Sequence, residues 1–219
     1  MAAAEEAFNS GAVGVVITHG TDTMHHSAAA AAFAWAGQGE RPPGRIAFTG
    51  SQRSSDRGST DGTENLLAAV HWAAHGPEPT GENGDASVII MHAGSDDGVC
   101  AIMPGCSTRK FHSSKRNAFQ GINADPLGFI SVGRNGNCEI EMDVQKPTRN
   151  IAAKPAVFDE NARILQLMAG PHLFADQIKL ASNYDALLFH GTGLGHLPIE
   201  DPNGDSPENA EMREAVSNY

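Results

Sequence analysis

This sequence predicts an α/β fold with a mostly parallel sheet covered by helices on both faces, and three observations carry that reading. Runs such as Val13–Ile17 and Ser87–Met91 are nearly continuously apolar rather than alternating, as strands buried on both faces are. Helical stretches fall between such runs, so strand and helix alternate along the chain. Hydrophobic residues make up 40% of the 219, enough for a sizeable core.

The elements follow in order. Ala2–Asn9 reads as the end of a helix, which Gly11 turns into the strand Val13–Ile17. His25–Ala36, built of alanines with Phe33 and Trp35, is a helix stopped by Gly37 and Gly39, with Pro42-Pro43 beyond. Arg45–Thr49 is a short strand, the polar stretch Gly50–Thr60 a loop, and Asp61–His75 a second helix. Residues 76–85, with two prolines and three glycines, are expected to form an exposed insertion. Ser87–Met91 and Val99–Met103 are further strands.

Periodicity then fades. Lys146-Pro147 and Lys154-Pro155 mark residues 143–161 as a linker between a first domain, residues 1–142, and a second, residues 162–219. The second holds the strands Arg163–Met168 and Ala186–Phe189, a helix Leu173–Ser182 and a helix from Asn209 onward. Two strands are few for an independent sheet, so the expectation is a second α/β domain cut short. The opening in mid-alternation suggests that the first domain is incomplete at its start.

The charge balance narrows the function. A net charge of −11 excludes a broad nucleic-acid surface, which needs clustered Lys and Arg; it suits either a salt-rich cytoplasm or ordinary solubility. Cys100, Cys106 and Cys138 form no CxxC pair, and their odd number fits a reduced setting. No apolar stretch reaches membrane-spanning length and the start carries Glu5 and Glu6, so no membrane association and a cytoplasmic location are expected.

Ligands of parallel α/β sheets bind beyond the carboxyl ends of strands, where His19-Gly20-Thr21-Asp22-Thr23 falls. Gly20 admits a substrate close to the backbone, and Thr21 offers a hydroxyl that can attack or orient a water. Asp22 can orient Thr21 or bind an ammonium group. Equally, Asp22 or Thr23 can simply cap the next helix. Gly50-Ser51-Gln52-Arg53-Ser54-Ser55-Asp56-Arg57 leaves the next strand at the same end, and there Ser51 and Gln52 can hold a carboxamide or carboxylate; such runs are also ordinary loop material. Arg109–Arg116 is the dense basic cluster, either a solvated face or the carrier of Lys110 toward Asp22, where it could exchange protons with Thr21.

Two signals are read as empty. Ten histidines include His25-His26, His92 and His112, but no HExxH occurs and adjacent histidines diverge by roughly 100° on a helix, so no metal is expected. Gly191-Thr192-Gly193-Leu194-Gly195 imitates a dinucleotide loop, but His196 stands where the third glycine belongs; a turn is expected.

The segment Val16-Ile17-Thr18-His19-Gly20-Thr21-Asp22-Thr23-Met24, the run Gly50–Arg57 with Asp61–Asn65, and Thr108-Arg109-Lys110 with Ala118-Phe119 and Pro126-Leu127-Gly128 together resemble the asparaginase/glutaminase family. His25, Gln52–Arg57 and His190–His196 are most similar to its branch of archaeal glutamyl-tRNA(Gln) amidotransferase D subunits. Met103-Pro104 and Gly58 depart from that branch, which usually has His-Arg and Pro there.

The resemblance implies a flavodoxin-like three-layer first domain, a dimer or higher oligomer, and two working threonines. One, in a Gly-Gly-Thr-Ile segment, attacks the amide, and no Gly-Gly-Thr occurs in these residues. The other set carries over to Thr21, Asp22 and Lys110, with Gly20, Ser51 and Gln52 near the substrate. The resemblance further implies a small amide amino acid as substrate and an E subunit that receives the ammonia and makes most tRNA contacts. ATP and Mg would belong to that partner, with no cofactor in this chain. The alternatives are a free-standing L-asparaginase and a catalytically incomplete remnant that only binds a partner.

Overall fold

The computed structural model describes residues 1–36, 41–81, 84–142 and 158–219. These fall into two compact units, Met1–Val157 and Phe158–Tyr219. Most of the expected linker, residues 143–157, lies outside the described residues, as do Gly37 and Gly39.

In the first unit, α1 (Ala2–Asn9) leads to β1 (Gly14–Thr18), α2 (Met24–Ala36), β2 (Arg45–Thr49), α3 (Gly62–His75) and β3 (Val88–His92). β1, β2 and β3 pair in parallel, joined by helical crossovers. Beyond β3 the chain turns back. β4 (Val99–Pro104), β7 (Gly128–Val132) and β8 (Cys138–Met142) extend the sheet by three antiparallel pairings. The six-stranded order is β1-β2-β3-β4-β7-β8, so the sheet is mixed, and the parallel part is confined to its first three strands. The expectation of a mostly parallel sheet fails beyond β3. Two of the three connections there, six residues (93–98) and five residues (133–137), are too short for a crossover helix but sufficient for hairpins, and the third, residues 105–127, is long but contains no helix. Gly98 and Gly136 take positive φ in these turns.

Strand alternation explains the three layers. Ile46, Phe48, Ile89 and Met91 face one side, where Met24, Ala28, Ala31 and Trp35 of α2 pack. Ala47, Val88 and Ile90 face the other, against Ala68, Ala69 and Trp72 of α3. Every residue of β3 is buried, as expected for a strand sandwiched between helices.

A second correction concerns residues 76–85. Among the described residues of this stretch, Gly76, Pro79 and Thr80 are buried, and the Asp85 carboxylate accepts from the amides of Thr80 and Gly81 at 2.6 and 2.7 Å, so these residues are not the exposed insertion expected.

The second unit holds a parallel pair, β9 (Ile164–Met168) and β10 (Ala186–His190), with α4 (Ala175–Lys179), a 3-10 turn (Leu180–Asn183) and α5 (Pro207–Ser217). Leu167, Leu173, Ile178 and Met212 form its core. Gly191–Gly195 is a turn closed on itself, Gly195 N–H donating to the Thr192 carbonyl at 2.7 Å.

Candidate active site

The site begins where β1 ends. His19 N–H donates to the Thr49 carbonyl at 2.9 Å, carrying the β1–β2 pairing one residue past the strand and holding Gly20 and Thr21 beside Gly50. A Cβ on Gly50 would lie 2.5 Å from the His19 carbonyl and 3.2 Å from Thr21 Cγ2, so only glycine lets the two loops approach this closely. His19 bridges the turn. Its Nδ1 lies 2.8 Å from the Gly20 carbonyl, which can only accept, so Nδ1 carries the proton and Nε2 accepts from the Ser27 hydroxyl at 2.9 Å. The loop after β1 is thereby tied to α2.

Lys110 reaches this loop from a small antiparallel ribbon, β5 (Thr108–Lys110) and β6 (Phe119–Gly121), in which it pairs with Phe119. Its Nζ donates to Thr21 Oγ1 at 2.8 Å and to Asp22 Oδ1 at 2.7 Å. The hydroxyl, carboxylate and ammonium converge across 89 residues of sequence. The lysine side chain is 10% exposed and the aspartate 93%, so the cation rises from the protein and the anion sits on its solvent side. The hydrogen bond from Lys110, reinforced by its charge, holds the Asp22 carboxyl below its usual value. Asp22 is thus turned to Lys110 rather than capping α2.

The loop after β2 is organised from beneath by Asp61, which is fully buried. Its carboxylate accepts from the amides of Gln52 and Arg53, from the Ser51 hydroxyl and from Asn65 Nδ2, each at 3.0 Å. Burial pushes the Asp61 carboxyl up, but these donors outweigh it and the net displacement is downward. Gln52 Nε2 donates to the carbonyls of His112 and Lys115 at 3.2 and 2.9 Å, while Arg116 Nη2 donates to the Ser59 carbonyl at 2.9 Å. The lysine-bearing loop is therefore laced to the loop after β2.

Two open depressions flank the triad. One, about 550 Å³, includes Gly20, Gly50, Ser51 and Thr60. The other, about 390 Å³, includes Asp22, His25, Arg109 and Lys110. The His25 imidazole is pushed toward its neutral form, first by burial and then by His26, Arg109 and Lys110. The rings of His25 and His26 lie 4.1 Å apart, closer than their adjacent helical positions suggest.

A model of the asparaginase family, described as its N-terminal part, matches residues 1–145. The chain belongs to the asparaginase family. It is 38% identical over 192 residues to the glutamyl-tRNA(Gln) amidotransferase D subunit of Pyrobaculum aerophilum, covering 88% of this chain and 43% of that protein. The corresponding D subunit of Thermofilum pendens is 36% identical over 186 residues, 84% of this chain and 38% of that one. The chain spans about two-fifths of the length of these curated relatives. Among solved structures, the thermostable L-asparaginase from Thermococcus kodakarensis superposes with a TM-score of 0.70 at 26% identity, covering 99% of this chain and 56% of that one.

Within this family member, sequence reasoning placed Gly20, Thr21, Asp22, Ser51, Gln52 and Lys110 as site residues, and all lie at one end of the parallel strands. It missed His19, Asp61 and Asn65. Asp61 and Asn65 are one helical turn apart, a spacing that puts two polar side chains on one face, and that signal was available. Among the described residues, no helix is long and apolar enough to cross a membrane.

Proposed function

We propose that this chain carries the Thr21–Asp22–Lys110 machinery of an amidohydrolase subunit that releases ammonia from asparagine or glutamine for the amidation of glutamyl-tRNA(Gln). The observation that carries this reading is the pair of 2.8 and 2.7 Å contacts from Lys110 Nζ to Thr21 and Asp22. The names of the relatives supply the biological setting.

In this reading a water molecule, or a threonine hydroxyl that water later replaces, adds to the carboxamide carbon. The C–N bond then breaks, leaving a carboxylate and ammonia. Lys110 and Asp22 hold and pass the proton at Thr21 Oγ1, in a geometry within the 2.6–3.2 Å reach of general acid–base catalysis. Gly20 and the Ser51 hydroxyl border the substrate. Gln52 donates both amide protons to the lysine loop, so its contribution narrows to Oε1, a buried acceptor without a protein partner among the described residues. These 219 residues contain no Gly-Gly-Thr, so the attacking threonine of that scheme has no counterpart among them, and hydrolysis by these residues alone is expected near background.

The wider proposal places this D-type protein in the cytoplasm as a homodimer or higher oligomer. An E subunit binds most of the tRNA, uses ATP and Mg, and receives the ammonia. The test, made on a form of the protein that carries such a threonine, is ammonia release from asparagine and glutamine, with and without an E subunit and glutamyl-tRNA(Gln). Release that requires both supports the amidotransferase reading, whereas equal turnover without either establishes a free-standing asparaginase.

A further inference from the structure

Outside the Thr21–Asp22–Lys110 set, Glu64, His92 and Asp97 come together. They arrive from the first turn of α3, the end of β3 and the β3–β4 connection. One donor atom of each lies within 4.8 Å of the other two. Proximity of acids is common on surfaces, but His92 is different. It is 1% exposed, and its ring can be assigned from its neighbours.

Asn65 Nδ2 donates to the Gly50 carbonyl at 2.9 Å and to the Asp61 carboxylate at 3.0 Å. Asn65 Oδ1 must therefore be the atom 2.7 Å from His92 Nδ1, and a carbonyl oxygen only accepts. Nδ1 accordingly carries the ring proton, and Nε2 of the neutral ring presents a lone pair. Glu64 Oε2, an oxygen that already accepts from the Gly98 amide at 2.9 Å, lies 3.2 Å from Nε2 without being hydrogen-bonded to it. A buried ring nitrogen with a free lone pair, this close to a carboxylate oxygen but not hydrogen-bonded to it, leaves a place for a positive centre beside both. Nε2 has no hydrogen-bond partner among the described residues.

The separation suits a metal ion. Bonds of about 2.0–2.1 Å to nitrogen and oxygen at tetrahedral angles put neighbouring ligand atoms about 3.3 Å apart. Nδ1–H held by an amide oxygen is also the arrangement that orients a metal-binding imidazole. Asp97 offers a third oxygen donor. Its Oδ1 also accepts from Arg116 Nη1.

We propose that Glu64, His92 and Asp97 form a site for a divalent transition-metal ion of the zinc type, bound through His92 Nε2 and two carboxylates, with water completing the shell. The ion would clamp the start of α3 to the end of β3, below the Asp61–Asn65 pair that holds the loop after β2. This departs from the expectation of no metal, which looked only at spacing along single elements, whereas these ligands come from three.

The test uses the 219-residue chain, stripped with a chelator and titrated with zinc(II) by calorimetry and by equilibrium dialysis with metal analysis. Expected are one equivalent bound and a rise in melting temperature. Glu64→Gln and Asp97→Asn, both at positions with solvent access and shape-conserving, should each weaken that binding by at least about tenfold and reduce the thermal shift. Failure to bind zinc overturns the proposal. So does binding that survives unchanged in both variants, which would place the ion on other histidines and leave a shared proton between His92 and Glu64.

Discussion

Asp61→Asn is the perturbation whose size the structure defines best. The substitution keeps shape and burial, but removes the charge and turns one acceptor oxygen into an NH2 group. Every group around that carboxylate is a donor: the amides of Gln52 and Arg53, the Ser51 hydroxyl and Asn65 Nδ2. Whichever way the new amide is rotated, its NH2 faces at least one N–H or O–H. Losing a charge-assisted hydrogen bond and leaving a buried donor unpaired costs roughly 3 kcal/mol. For a chain of this size that lowers the melting temperature by about 6–12 °C.

The assay is thermal and urea unfolding followed by tryptophan fluorescence, since Trp35 and Trp72 are both buried in the first unit. A pH arm checks the cause. Because the folded carboxyl sits below its ordinary value of 3.8, its contribution is fully present above that pH and is lost as pH falls through the folded value. Asp61→Asn should flatten the acid limb of the stability curve. A melting temperature within about 1 °C of the parent, or an unchanged acid limb, would refute the claim that this carboxylate organises the loop.

Two other variants have defined outcomes. Lys110→Met keeps the length of the side chain but removes its ammonium; in a form that hydrolyses amides it should lower kcat by about 10²–10⁴-fold with little change in KM, and a near-normal kcat removes the lysine from the mechanism. In the 219-residue chain the same variant should let the Asp22 carboxyl, read by NMR titration, rise toward its ordinary value, since Lys110 is what holds it down. Gly50→Ala introduces a Cβ 2.5 Å from the backbone carbonyl of His19, which cannot swing aside as a flexible side chain would. It should therefore displace Thr21 and weaken the Lys110 contacts, raising the Asp22 pKa while the helices stay folded by circular dichroism; an unmoved Asp22 pKa would show that the loops absorb the methyl group.

How much of this was legible depended on whether the signal was local. The parallel half could be read because β1, β2 and β3 are short apolar runs separated by helices, and each leaves by a loop rich in glycine and hydroxyls. The antiparallel half was not read beyond Val99–Met103. β7 alternates buried and exposed residues over only five positions, and β8 has none buried, so neither stands out as an apolar run. β5 and β6 are three residues each, too short for any periodicity, yet they deliver Lys110. The lysine was found through its resemblance to a family segment; its partner in the ribbon, Phe119, could not have been inferred from spacing. Asp61 was legible as the start of a helix and as part of the family resemblance but not as the organiser of the loop, because four donors gathered on one carboxylate is a property of the folded loop.

The position of Lys110 shows why those unread parts matter. A three-residue strand cannot hold an ammonium group to within hydrogen-bond distance of two acceptors by its own ladder. What holds it is the lacing between loops: Gln52 clasps the carbonyls of His112 and Lys115, and Arg116 grips Ser59. Gln52 and Ser59 belong in turn to the loop that Asp61 gathers, and Asp61 shares Asn65 Nδ2 with the Gly50 carbonyl. Gly50 is the residue whose missing side chain lets Thr21 stand where Lys110 can reach it. The hydroxyl and the ammonium are therefore positioned through one connected set of polar contacts. A buried acid with no place in the proton transfer can thus govern the site as strongly as the residues that touch substrate.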